Sequence, residues 1–142
     1  MDARIPLKTR SLLVLGGITG IALLVTAFCL SPNPNGFGTH QQLGFSPCTV
    51  MVVFGIPCPS CGMTTSWAHL TQGSLIQAFQ SNAGGTLLGL STLVLSPWSL
   101  VSGLWGRWWI SPPDLFWGFY GLLGITIVTV VQWVTWIRFF PS

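Results

Sequence analysis

Residues 11–30 read SLLVLGGITGIALLVTAFCL and contain no charged side chain. Twenty residues of α-helix, each rising about 1.5 Å, span about 30 Å, which is the thickness of the hydrocarbon core of a bilayer. Two further uncharged runs have the required length, residues 83–104 and residues 115–137. The sequence therefore predicts three transmembrane helices.

The overall composition supports a protein whose solvent is lipid. Only 5 % of the residues are charged, whereas a soluble domain has about 25 %. We therefore predict an all-α integral membrane protein that forms a single membrane domain over residues 1–142. The net charge of +3 is small and its residues are scattered, which argues against a nucleic-acid-binding face.

The basic residues predict the orientation of this domain. One side of the three-span arrangement carries Arg4, Lys8, Arg10 and Arg107, and the other side carries only Arg138. Because cytoplasmic loops are enriched in lysine and arginine, we expect a cytoplasmic N-terminus. A cleaved signal peptide is the competing interpretation of the first span. We expect an uncleaved helix, because the apolar run exceeds the usual 7 to 15 residues and Phe28 disrupts a small-residue cleavage site.

Residues 31–82 connect the first two spans and contain several short elements. The run SPNPNGFG at residues 31–38 has the prolines and glycines that end a helix. Residues 48–56 are apolar but too few to cross a bilayer as a helix. Residues 62–72 predict a short helix, and Ser74 with Gln77 has the spacing of a capping box for a second one. Both helices either lie in the membrane interface or pack against the other helices.

Three of the four cysteines lie in this connecting segment, in the stretch CTVMVVFGIPCPSCGMTT at residues 48–65. Cys58 and Cys61 have the spacing of a dithiol/disulfide couple. A helix that begins at or just after Cys61 would direct its N-terminal dipole at the thiols and lower their pKa. The pair is thus a candidate redox centre, although the loop contains no basic residue or carboxylate to assist it.

The same cysteines are candidate metal ligands. Cys48, Cys58 and Cys61 would supply three thiolates, and either His69 or His40 is available as the fourth ligand. Such a Cys3His set is typical of zinc, and its soft ligands also suit copper(I). A third interpretation is a structural disulfide between Cys48 and one cysteine of the pair. We expect Cys29, inside the first span, to be a packed apolar side chain.

The pattern of these residues resembles the bacterial membrane proteins grouped as domain of unknown function 2752. It comprises Cys48, the run GIPCPSCGMTT at residues 55–65, a G-x-L-x-x-A-F stretch at residues 73–79, and Asn82 before an apolar span. The family often has Arg at the position of Thr65 and Pro at that of Ala83. The resemblance implies a small multi-pass protein of the bacterial inner membrane, and it implies no established activity.

We therefore expect a structural or accessory membrane component rather than an enzyme, with a metal-binding or disulfide site on an outward-facing loop. The alternative is a membrane thiol-disulfide oxidoreductase that uses Cys58 and Cys61. A transporter is disfavoured because no span contains an ionisable residue of the kind that ion pathways require. Beyond the lipid bilayer, we expect any partner to be another membrane protein or a second copy of the chain.

Overall fold

The computed structural model describes residues 4–139, and the ends of the predicted domain, residues 1–3 and 140–142, lie outside them. Within residues 4–139 the fold is entirely helical, which confirms the predicted all-α class. In chain order, the elements are α1 (Leu7–Cys29), a 3-10 helix (Thr39–Leu43), α2 (Thr49–Phe54), α3 (Met63–Thr71), α4 (Leu75–Ser81), α5 (Ala83–Trp105) and α6 (Leu115–Phe139). Three of them, α1, α5 and α6, are long and apolar enough to cross a membrane.

Helices α1 and α5 form the main packing pair of the bundle. Gly17 of α1 lies against α5, where a Cβ atom would be 2.8 Å from the Cβ atom of Leu100. Glycine lets the two backbones approach this closely, as is common between membrane helices. At one end of the pair, the Arg10 guanidinium donates hydrogen bonds to the carbonyl oxygens of Gly103 and Leu104, both at 3.0 Å. Arg10 thereby caps the C-terminus of α5, where a cation is favoured.

Helices α3 and α4 pack at the other end of this pair. Helix α3 contacts both α1 and α5. The Trp67 indole donates to the Gly85 carbonyl oxygen at 2.8 Å, and the Gln72 side chain donates to the Leu30 carbonyl oxygen at 2.9 Å. The predicted capping box at the start of α4 is wrong, because the Ser74 side chain makes no cap hydrogen bond.

Helix α6 packs against α5, reaches the end of α4 through the Gln132 side chain, and exposes most of its length. Gln132 provides its polar attachment: the side-chain oxygen accepts from the Ala83 amide at 2.6 Å, and the side-chain nitrogen donates to the Phe79 carbonyl oxygen at 3.0 Å. Gly84 allows the close approach, since a Cβ atom there would collide with the Thr129 side chain. The fold thus places the start of α5 between α3, α4 and α6.

Candidate thiol site

Three cysteines that are separated in the sequence meet at the end of the bundle where α5 begins. The sulfur atoms of Cys48, Cys58 and Cys61 all lie within 4.8 Å of one another. Cys48 directly precedes α2, and the other two lie in the turn before α3. We call these three residues the thiol site. Cys29 is not part of it, and the prediction that this side chain is packed is wrong, because it is exposed at the end of α1.

The C-P-S-C turn holds Cys58 and Cys61 in direct contact. The Cys61 amide donates to the Cys58 carbonyl oxygen at 3.0 Å, which closes the turn. In return, the Cys58 amide donates to the Cys61 sulfur at 3.3 Å, and the two sulfur atoms are 3.2 Å apart. All four cysteines of the chain are free thiols in this structure.

Gly62 lets three segments of backbone converge behind this turn. Its φ of +84° is in the left-handed region, which disfavours any residue with a Cβ atom. A Cβ atom would also collide with the Ser81 carbonyl oxygen and lie 2.7 Å from the Gly36 carbonyl oxygen. Because both neighbours are backbone atoms, neither can rotate away. Gly62 therefore fixes the turn against the end of α4 and the loop after α1.

Asn82 attaches the cysteine turn to the start of α5. Its side chain is 4 % exposed, and its amide nitrogen donates to the carbonyl oxygens of Pro59 at 3.1 Å and of Cys61 at 3.0 Å. Its side-chain oxygen accepts from the Gly85 amide at 2.6 Å, which caps α5. One buried side chain thus makes three hydrogen bonds, two to the cysteine turn and one to the first turn of α5, and it attaches the thiol site to a spanning helix.

Helix α6 also contacts the cysteine turn. The Trp133 indole donates to the carbonyl oxygen of Pro57, the residue before Cys58, at 2.7 Å. Pro57 is itself buried. The turn is therefore held from two sides, by α5 through Asn82 and by α6 through Trp133.

The three thiols differ in acidity. The pKa of Cys48 is lowered to about 7, mainly because the backbone amide of Met51 in the first turn of α2 favours the thiolate. The neighbouring thiols of Cys58 and Cys61 lower it further, and partial desolvation opposes them. Burial, reinforced by the Cys58 thiol, raises the pKa of Cys61 to about 12. The sequence led us to expect a helix after Cys61 to acidify the pair, whereas in the structure the start of α2 acidifies Cys48.

A pocket of about 390 Å³ opens beside the thiol site. All three cysteines line it, together with His40, Met51 and Thr65. His69, one of the two histidines considered as a fourth ligand, lies half-buried on α3, where burial lowers its pKa. Among the residues that the structure describes, His69 is neither in the group of mutually close ligands nor in the lining of this pocket.

The spacing of the sulfur atoms suits a metal ion. In a tetrahedral zinc site with Zn–S bonds of about 2.3 Å, neighbouring sulfurs are about 3.8 Å apart. The thiol site already holds its three sulfurs within 4.8 Å, so small side-chain rotations would complete the geometry.

Sequence reasoning identified the three cysteines but missed the contacts of Asn82, Gly62 and Trp133. The only available signal was the position of Asn82 just before an uncharged span, which is typical of a helix cap.

Comparison with protein families places the thiol site inside a matched segment. Residues 48–96 match the family model described as "Protein of unknown function (DUF2752)". This segment belongs to the DUF2752 family. It includes all three cysteines of the thiol site, α2 to α4 and the first part of α5. The comparison with curated proteins and the comparison with solved structures each found no match.

Proposed function

We propose that this chain is a multi-pass accessory protein of the bacterial cytoplasmic membrane that binds a metal ion, zinc in the first instance, through Cys48, Cys58 and Cys61. The observation that carries the proposal is the approach of three thiols from two separate segments to within 4.8 Å of one another. Thiolates are the ligands that zinc and copper(I) prefer. No catalytic step is part of this role.

The acidity of the thiols supports metal binding. A bound cation stabilises thiolates, so it would displace the proton that Cys61 retains at neutral pH. Cys48, with its pKa of about 7, already supplies a thiolate at the edge of the site. Asn82 and Trp133 donate hydrogen bonds to backbone carbonyl oxygens of the cysteine turn. Around a metal site, hydrogen bonds of this kind keep the ligand side chains in place.

The distribution of basic residues supports a site that faces outward. Arg10 lies at the end of the bundle where α5 finishes, and the Ile5 amide donates to the Gly106 carbonyl oxygen at that same end. The thiol site lies at the opposite end, where α5 begins. With the basic end in the cytoplasm, the thiol site would face the periplasm or the exterior.

A membrane thiol-disulfide oxidoreductase is the second candidate. It is favoured by the 3.2 Å separation of the Cys58 and Cys61 sulfurs, because closing a disulfide from that distance requires little movement. Oxidation would join the two sulfurs and release two protons and two electrons to an external disulfide or quinone. We rank metal binding first because three thiols, and not the pair alone, lie within 4.8 Å of one another.

Thiol trapping on intact cells tests this proposal. Cells are treated with a membrane-impermeant maleimide, with and without a strong chelator and with and without prior reductant. We expect labelling of the thiol site to appear after the chelator. Labelling that appears only after the reductant would favour the disulfide candidate. If only a membrane-permeant maleimide labels the three cysteines, the outward orientation is contradicted. The Cys29→Ser variant removes the thiol outside the site from the background.

A further inference from the structure

The remaining question at the thiol site is the identity of a fourth ligand, and the hydrogen bond of His40 bears on it. The Nε2 atom of His40 lies 3.3 Å from the Ser46 carbonyl oxygen. Because a carbonyl oxygen can only accept a hydrogen bond, this contact is a hydrogen bond in the tautomer whose Nε2 carries the proton. In the neutral ring, Nδ1 therefore holds the free lone pair.

This arrangement is the one that metal-binding histidines adopt. Such a histidine almost always donates its second ring N–H to a carboxylate, a backbone carbonyl or water, which fixes the tautomer and the orientation of the ring. The acceptor here belongs to Ser46, two residues before Cys48. The carbonyl that orients the ring and the first thiol thus lie on the same short segment.

The backbone that carries His40 is fixed beside the thiol site. The hydroxyl groups of Thr39 and Thr65 are hydrogen-bonded at 2.8 Å, and both residues are fully buried. Thr39 also accepts from the Asn33 amide at 3.0 Å. Thr65 lies on α3, four residues after Cys61, so this buried bond ties the 3-10 helix to the element that follows the cysteine pair.

We propose that Nδ1 of His40, and not His69, is the fourth ligand of a Cys3His metal site. The inference rests on the proposed metal-binding function and goes beyond it by naming the ligand. His40 and the three cysteines line the same pocket, whereas His69 does not. His40 is not in the group of ligand atoms within 4.8 Å of one another, so coordination requires the cysteine side chains to rotate towards the ring, which keeps its bond to Ser46.

X-ray absorption at the zinc edge tests the assignment on the full chain purified in detergent. The wild type, His40→Gln and His69→Gln are each reduced, loaded with one equivalent of Zn²⁺ and measured. Imidazole coordination produces outer-shell scattering that sulfur and water do not. We expect three sulfurs and one imidazole in the wild type and in His69→Gln, and loss of the imidazole signal in His40→Gln. Zinc affinity in His40→Gln should fall by at least about tenfold, since even the loss of an outer contact costs that much.

Each other outcome is informative. Loss of the imidazole signal in His69→Gln, with retention in His40→Gln, would overturn the assignment in favour of His69. Zinc bound by three sulfurs without imidazole in the wild type would overturn the assignment and leave the metal-binding function intact. Failure of the wild type to bind zinc would overturn both. Thermal unfolding of the three proteins in detergent, expected to match, establishes that the variants are folded.

Discussion

The side-chain amide of Asn82 donates a hydrogen bond to the backbone carbonyl oxygen of Cys61 at 3.0 Å, across 21 residues of sequence. Asn82 is also the residue that caps α5. The first turn of a spanning helix and the cysteine pair are therefore one structural unit. Movement of α5 would move the turn that carries two of the three thiols.

Two substitutions separate the roles of Asn82. Serine is as good a helix cap as asparagine but is too short to reach the carbonyl oxygens of Pro59 and Cys61. We expect Asn82→Ala to be less stable than Asn82→Ser by about 1 kcal/mol, the usual cost of a lost cap. Both variants should bind zinc about tenfold to a hundredfold more weakly than the wild type. Thermal unfolding in detergent and zinc titration provide the two readouts.

A matched control for these variants is Asn35→Ala, at an exposed position outside the site, which should leave both readouts unchanged. Wild-type zinc affinity in Asn82→Ser would show that Asn82 acts as a helix cap only. The proposed attachment of the thiol site to α5 would then be wrong.

Gly62 and Gly44 form a second matched pair, because both have a φ of +84°. Alanine at either position incurs the left-handed strain of about 1–2 kcal/mol. At Gly44 nothing lies within 4 Å of the added Cβ atom, whereas at Gly62 it meets two backbone carbonyl oxygens. We expect Gly62→Ala to reduce the yield of folded protein severely and Gly44→Ala to reduce it mildly, measured as monodisperse protein after detergent extraction. Equal yields would refute the close convergence at Gly62.

The lowered pKa of Cys48 predicts a distinct pH profile of alkylation. A lowered pKa means that the thiolate forms at lower pH, so the iodoacetamide rate at Cys48 should reach half its plateau near pH 7 in reduced protein with chelator. Cys61, whose pKa is raised to about 12, should stay slow throughout the neutral range. Mass spectrometry of the peptides gives both rates from one sample. A common midpoint for the two residues near the usual cysteine pKa of about 8.5 would contradict the difference in environment.

Gln132 should determine how firmly α6 is attached. Replacement by leucine removes its hydrogen bonds to Ala83 and Phe79. Hydrogen bonds between membrane helices contribute about 0.6 kcal/mol on average and up to about 1.7 kcal/mol, so we expect a loss of about 1–2 kcal/mol in the free energy of unfolding. Titration with sodium dodecyl sulfate measures it. Thr126→Val is the control, because Thr126 is exposed and bonds within α6, and an equal loss in both variants would contradict the role of Gln132.

The features that sequence reasoning predicted are those that depend on local composition. The length and lack of charge of residues 11–30 predicted a helix able to span the membrane. In the structure α1 begins earlier, at Leu7, because the helix continues through Lys8 and Arg10, before the apolar run. Gln132 is an amide within an apolar span, which needs a partner, and in the structure it bonds to the start of α5.

The features that could not be predicted depend on contacts between distant segments. Burial raises the pKa of Cys61, and the cysteine turn is buried because it packs against Asn82 and Ser81. The choice between His40 and His69 likewise depends on the bond between Thr39 and Thr65, 26 residues apart. No spacing rule along the chain encodes such pairings.

Zinc stoichiometry of the purified chain is the most direct test of the central claim. The wild type and the Cys48→Ser, Cys58→Ser, Cys61→Ser and Cys29→Ser variants are dialysed against zinc and analysed for bound metal per chain. We expect one zinc ion in the wild type and in Cys29→Ser, and strongly reduced zinc in each of the other three variants. Absence of stoichiometric zinc in the wild type, or an equal loss in Cys29→Ser, would contradict a metal site formed by Cys48, Cys58 and Cys61.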